Sequence, residues 1–276
     1  IFAENRKYYC DDFEYQNCPT MAAMIEVMDY NIGRILDKLD NLGLTDDTII
    51  VFLGDNGGNM YSEINGTSPT NNFPLKGGKA TIYEGGIRVP MIVKWPGTVN
   101  EDTISNEVVV GPDIYPTLIN MAGLEMPDTQ KFDGNNIIPA LKGGEIDREA
   151  IFMHFPHYMK ATGNKPATMV RKGKWKLIRY YYDGSEQKHR YELYNLEEDI
   201  GETDNLADKY PEKVKNMDQL INEYLKETNA LVPHKNLDFG NFYNNWYAMN
   251  NIKLSAGENS LIIQPTGSDP QFGINK

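Results

Sequence analysis

Several shortages narrow what this sequence can be. It has 2 cysteines and 4 histidines in 276 residues. Cys10 and Cys18 sit in no CxxC pair, and His154, His157, His189 and His234 form no HExxH or cysteine-paired pattern, so the usual zinc motifs are excluded. The cysteines are eight residues apart, which leaves a small-loop disulfide and two reduced thiols both open. No stretch approaches the roughly 20 uninterrupted apolar residues that span a bilayer. The opening IFAENRKYYCDDFEYQ lacks the apolar run of a signal peptide. Positive charge is scarce too, with 27 Lys and Arg against 39 Asp and Glu, a formal net charge of -12. A nucleic-acid binder needs a basic face to release phosphate counterions, so that class is set aside. An enzyme acting on anions would need a local cluster of Lys and Arg to override the overall field.

The chain is long enough for one large domain or two small ones. From Thr20, a potential N-cap, Met21, Met24, Ile25, Met28, Ile32, Ile35, Leu36, Leu39 and Leu42 recur at helical spacing, and Gly43 supplies a stop. That stripe reads as a core face. Residues 48–53, TIIVFL, form a wholly apolar, β-branched run of the kind buried on both faces of a parallel sheet. Further apolar runs, Met91–Trp95 and Val108–Val110, precede a short helix over Asp113–Ala122. This alternation predicts an α/β class with a mixed, mostly parallel sheet flanked by helices over residues 1–155.

Beyond that point the pattern changes. ATMVRKGKWKLIRYYYDG predicts two strands turning near Lys172-Gly173-Lys174, and YELYNL a third. PEKVKNMDQLINEYLKET predicts a helix starting at Pro211, with Val214, Met217, Ile221, Tyr224 and Leu225 on its apolar face. Residues 156–234 are therefore expected to form a smaller antiparallel sheet packed on a helix. Residues 235–276 read as a tail or the start of a further β module, with a hairpin turning at Gly257-Glu258-Asn259.

The chemistry-bearing residues lie in two glycine-rich segments. Asp55 and Asn56 follow directly on a buried strand, where α/β sheets collect ligands. A carboxylate and an amide carbonyl are hard oxygen donors, suited to calcium or magnesium. Taken alone, DNGG reads as a turn. Lys79 follows Gly77-Gly78, which lets its backbone approach a ligand closely, and its ammonium can act as a point charge on an oxyanion. Taken alone, it is a solvated lysine.

Together the segments resemble the sulfatases, of the alkaline-phosphatase-like superfamily. The likeness rests on DNGG, then GGKATIYEGGIRVP, with AAMIEVMDYNIGRILDKLDNLGL, MIVKWPG, DIYPTLINMAGL, GKWKLI and ELYNLEED in family order over residues 20 to 228. The resemblance implies that Asp55 and Asn56 ligate Ca2+ and that Lys79 contacts the sulfate and offsets its developing charge. Lys76 would add to the positive field. In HFPHY, the resemblance makes His157 a substrate-contacting residue. The structural alternative packs His154 and His157 among Phe152, Phe155 and Tyr158. Glu84 and Arg88, four apart, are expected to form an internal ion pair that fixes the loop.

What the family needs and these segments do not hold is a nucleophile, a formylglycine made from the Cys or Ser of C/S-x-P-x-R. Cys18 is followed by PTMA and Cys10 by DDFE, so neither fits. The paired N-terminal Asp ligands of the family are absent as well. The expectation is an incomplete, inactive portion of a secreted or periplasmic sulfuric ester hydrolase, acting on a sulfated carbohydrate or an aryl sulfate. A phosphoester or phosphonate hydrolase of the same superfamily and a non-catalytic binding relative are the alternatives.

Overall fold

The computed structural model describes residues 19–60, 68–127 and 129–235, together with four short strands between residues 252 and 274. It divides into two units. The first holds residues up to 151 with 171–174 and 195–204; the second holds 152–170, 175–194 and residues from 205 onward. The first break thus falls at 151/152 instead of 155, and two short segments group with the first unit.

In the first unit, α1 (Pro19–Asn41) follows the expected helical pattern. It starts one residue early, so Thr20 lies in its first turn and does not cap it. Gly43 takes a left-handed φ of +66°, and the Leu44 N–H donates to the Leu39 carbonyl at 2.9 Å, which closes the C-terminus. The apolar stripe is not covered among the described residues: Met24, Ile25, Met28 and Ile35 are exposed. Helical period fixes which residues share a face, not what covers that face.

Strands β1 (Ile50–Leu53) and β2 (Met91–Lys94) pair antiparallel, from Ile50 opposite Lys94 to Leu53 opposite Met91. The mostly parallel sheet expected of these runs is not what they form with one another. An apolar run of four to six residues carries no period from which direction could be read, and the long connection from 54 to 90 lets the chain return either way. Val108–Val110, expected as a strand, joins no ladder. Its ladder groups are taken by side chains: the Val110 N–H donates to Asp113 Oδ2 at 2.8 Å, and Arg148 Nη1 donates to the Val108 carbonyl at 2.8 Å. Buried Asp113 also accepts from Arg148 and from the Asn135 N–H, and leads into the short helix Ile114–Met121.

The second unit is built on a four-stranded sheet in chain order, β3 (Ile151–Phe155), β4 (Ala167–Lys172), β5 (Trp175–Tyr180) and β6 (Arg190–Asn195). A two-residue link with Gly173 at φ +55° joins β4 to β5, which only antiparallel neighbours allow. Met169, Val170, Leu177, Ile178, Leu193 and Tyr194 are buried on this sheet. The long helix Pro211–Glu227 packs on β5 and buries Met217, Ile221 and Leu225, each contributing about 1.5–3 kcal/mol. Tyr224 stacks on Phe152 at 4.4 Å between centroids. These elements match the sequence reading, except that β3 was not foreseen as a strand.

Near the C-terminus, Ile252 pairs with Leu261 and Lys253 with Ser260, the antiparallel ladder of the expected hairpin; its turn at residues 257–259 lies outside the described residues. No helix among the described residues is long and apolar enough to cross a membrane.

Candidate active site

The DNGG and GGK segments come together in the first unit through their own backbones. The strand β1 ends at Leu53, and the Gly54 N–H still pairs with the Pro90 carbonyl at 3.1 Å. The chain then leaves the ladder. The Gly57 N–H donates to the Gly86 carbonyl at 3.0 Å, the Gly85 N–H to Lys76 at 2.8 Å, and the Lys79 N–H to Gly58 at 3.0 Å. Asn72 clamps the same crossing: its Oδ1 accepts the Gly58 N–H at 3.1 Å, and its Nδ2 donates to the carbonyls of Gly58 and Gly77 at 3.1 and 3.0 Å.

Such approach requires glycine. A Cβ at Gly57 would sit on the Gly85 carbonyl oxygen, and one at Gly78 would press on the Gly58 carbonyl. At Gly85 it would meet the Lys76 and Gly77 carbonyls, and at Gly86 those of Gly78 and Thr81. The paired glycines are therefore the condition for packing two backbones face to face. Gly77 and Ala80, on either side of Lys79, both take left-handed φ values, +73° and +66°.

Asp55, Asn56 and Lys79, the residues expected to carry the site, sit on the two loops of this crossing. The Asn56 side chain hydrogen-bonds the Asp55 carboxylate. A carboxylate only accepts, so Asn56 donates from Nδ2 and its Oδ1 stays available. That bond holds the Asp55 carboxyl below the usual range, and the nearby Lys79 charge pulls in the same direction. Asp55, Asn56 and Lys79 are all exposed. The two loops offer two hard oxygen donors and an ammonium whose charge acts on the Asp55 carboxyl. In kind these suit calcium. In number they fall short of the six to eight oxygens calcium takes, and no group of three or more Asp, Glu, His or Cys among the described residues could hold a metal.

Behind the site, Glu84 is almost fully buried. Its carboxylate lies 3.7 Å from Arg88 Nη1, the ion pair expected from the sequence, and 3.9 Å from Arg171 Nη1. The Glu84 N–H donates to Glu202 Oε2 at 2.7 Å. Lys76 Nζ donates to the Glu202 carbonyl at 3.0 Å and stands 4.1 Å from the Tyr83 ring centroid, so it is committed to holding structure. Asn72, Arg171 and Glu202 were not singled out from the sequence. They lie 14, 87 and 118 residues from their partners Gly58, Glu84 and Glu84, and no local pattern marks them.

His157 stands in the second unit, exposed, with its ring edge-on to Phe155 at 5.5 Å. His154 is the bound one. Its Nε2 lies 2.9 Å from the Leu231 carbonyl and its Nδ1 2.7 Å from Thr168 Oγ1. Of the aromatic neighbours in the structural alternative, Phe155 meets His157, while His154 stands edge-on to Tyr181 instead. Cys10 and Cys18 lie outside the described residues.

Two family models match the chain: N-sulphoglucosamine sulphohydrolase, C-terminal, over residues 78–230, and sulfatase over residues 3–124. A sulfatase of Formosa agariphila is 35% identical over 229 residues, which is 76% of this chain and 38% of that protein. The crystal structure of Ps i-CgsB in complex with k-i-k-neocarrahexaose superposes with a TM-score of 0.68 at 26% identity, covering 80% of this chain and 46% of that one. A structure in complex with its substrate D-glucosamine-2-N,6-O-disulfate gives 0.60 at 27% identity, covering 75% and 40%. The chain thus spans less than half the length of these relatives.

Proposed function

The chain belongs to the sulfatase family, and we propose that it supplies the calcium- and sulfate-facing loops of a sulfuric ester hydrolase whose substrate is a sulfated carbohydrate. The observation that supports the reading is the bond from the Lys79 N–H to the Gly58 carbonyl, which ties the loop that carries Lys79 to the turn that carries Asp55 and Asn56. Asp55 and the Oδ1 of Asn56 would hold Ca2+, with further oxygens from residues outside this pair. When bound, the ion would supply a positive charge against the sulfate oxygens. Lys79 would bind and orient the same group and offset the charge that grows as the S–O bond breaks.

The electrostatics favour a cation here. Ionised Asp55, on which the Lys79 charge acts, works against an anion at these loops. A divalent ion on Asp55 reverses that balance and turns the crossing into an anion-accepting spot within an acidic chain. The carbohydrate assignment leans on the two sugar-bound relatives. From the motif resemblance, the proposal extends to a formylglycine nucleophile supplied by neither Cys10 nor Cys18, to a secreted or periplasmic location, and to substrate contact by His157.

The test is hydrolysis of sulfated sugars by the full-length protein, with calcium or with chelator, beside Lys79→Ala. A fall in kcat of roughly a hundredfold is expected for a group acting on the transition state. Near-normal turnover by Lys79→Ala would remove that lysine from the mechanism.

A further inference from the structure

The second unit contains a cavity of about 430 Å³ between β5 and the long helix, lined among others by Arg179, His189, Asn222 and Lys226. At its back, Arg179 is 3% exposed. Its Nη1 donates to Asp218 at 3.0 Å and to Asn222 Oδ1 at 2.6 Å, and its Nη2 to the Tyr181 hydroxyl at 3.3 Å. Its Nε is buried and has no hydrogen-bond partner among the described residues. A buried donor left in that state is a standing cost to the fold.

The neighbouring groups present donors as well. Asn222 spends its Oδ1 on Arg179, which leaves its Nδ2 for another acceptor. His189 Nδ1 accepts the Tyr182 N–H at 3.3 Å, so the neutral ring carries its proton on Nε2. Lys226, exposed on the lining, brings an ammonium. Two cations, Arg179 and Lys226, stand against the one carboxylate of Asp218 that pairs with Arg179. The surplus suits a single negative charge. Leu225 and Val232 add apolar surface, and the volume accommodates a sugar ring.

We propose that this pocket binds the oxyanion of an acidic sugar, a carboxylate or a sulfate ester, through Arg179, Asn222, His189 and Lys226. The pocket shares no residue with the Asp55–Lys79 crossing, so its binding stands or falls apart from the hydrolase reading. A net charge of -12 also makes non-specific anion uptake unfavourable, so binding here would have to be local.

Isothermal titration of the protein with glucuronate, glucose 6-sulfate and neutral glucose, at fixed ionic strength set with chloride, tests it. At least one acidic sugar is expected to bind, and the stronger of the two identifies the group recognised. Glucose is expected to bind at least about tenfold more weakly, a difference of about 1.4 kcal/mol. Lys226→Glu, a surface change, is expected to weaken the acidic sugar by about tenfold or more with an unchanged melting temperature. Equal binding of glucose, no binding of either acid, or indifference to Lys226→Glu would each overturn the proposal.

Discussion

The Lys79 N–H donates to the Gly58 carbonyl at 3.0 Å, so the lysine and the DNGG turn are fixed to each other by backbone. Their side chains can exchange charge partners, but the spacing of the two loops does not depend on them.

Gly57→Ala is expected to break this spacing. The new Cβ would meet the Gly85 carbonyl, a backbone atom that cannot step aside cheaply. Overpacking of this kind costs about 1–3 kcal/mol or more. Gly33→Ala is the contrast: it sits inside α1 with nothing within 4 Å of a new Cβ. There alanine should stabilise by about 0.5–1 kcal/mol. Thermal denaturation of the two variants should move in opposite directions. A Gly57→Ala protein that melts with the wild type would mean the loops are not so closely packed.

Glu84→Lys tests the ion pairs behind the loops. The side chain is 4% exposed against 21% for Arg171 and 54% for Arg88. Reversal would bury a third positive charge beside two arginines, and a loss of about 3–5 kcal/mol is expected. Arg88→Ala, at the exposed partner, should cost under about 1 kcal/mol. Denaturant titration reads both, and an unshifted midpoint for Glu84→Lys would show that the pairs do not hold the loop.

Stability should fall on mild acidification. Burial lowers the pKa of His154 from 6.5, with the Leu231 hydrogen bond acting the other way, and burial lowers that of His189 too. The unfolded chain then takes up protons near pH 6.5 that the folded chain refuses. The two neutral rings therefore give their full contribution above that pH, and it is lost as pH falls from there toward the folded values. Melting temperature is expected to drop between about pH 7.5 and 5.5, and less steeply in His154→Gln. An identical slope in that variant would take His154 out of the linkage.

The proposed calcium site is tested at Asp55. In the full-length protein, Asp55→Ala is expected to raise the calcium needed for half-maximal sulfatase activity by at least about 10-fold, since loss of even an outer-shell partner weakens a metal site by about 10–100-fold. Activation by calcium at the wild-type concentration would mean that Asp55 is not a ligand.

Much of this was legible in the sequence, and the reasons differ by element. The helix from Pro211 carried its own start signal and a period that named Met217, Ile221 and Leu225. The β4–β5 hairpin carried Gly173 at its turn. Strand β3 was hidden because IFMHF sat inside a run read for its histidines. The direction of β1 and β2 was hidden because short apolar runs have no period. Asp55, Asn56 and Lys79 stood out by motif, on two loops whose backbones are hydrogen-bonded to each other. Asn72 and Glu202 could not stand out, since each is defined only by a backbone that returns to it from far along the chain.

The glycine-to-carbonyl contacts between residues 57–58 and 76–86 also bear on transplantation. Moving either segment alone into a foreign scaffold would deliver its charged groups without the surface that sets their separation. The two stretches form one transferable cassette, and Asn72 has to travel with them.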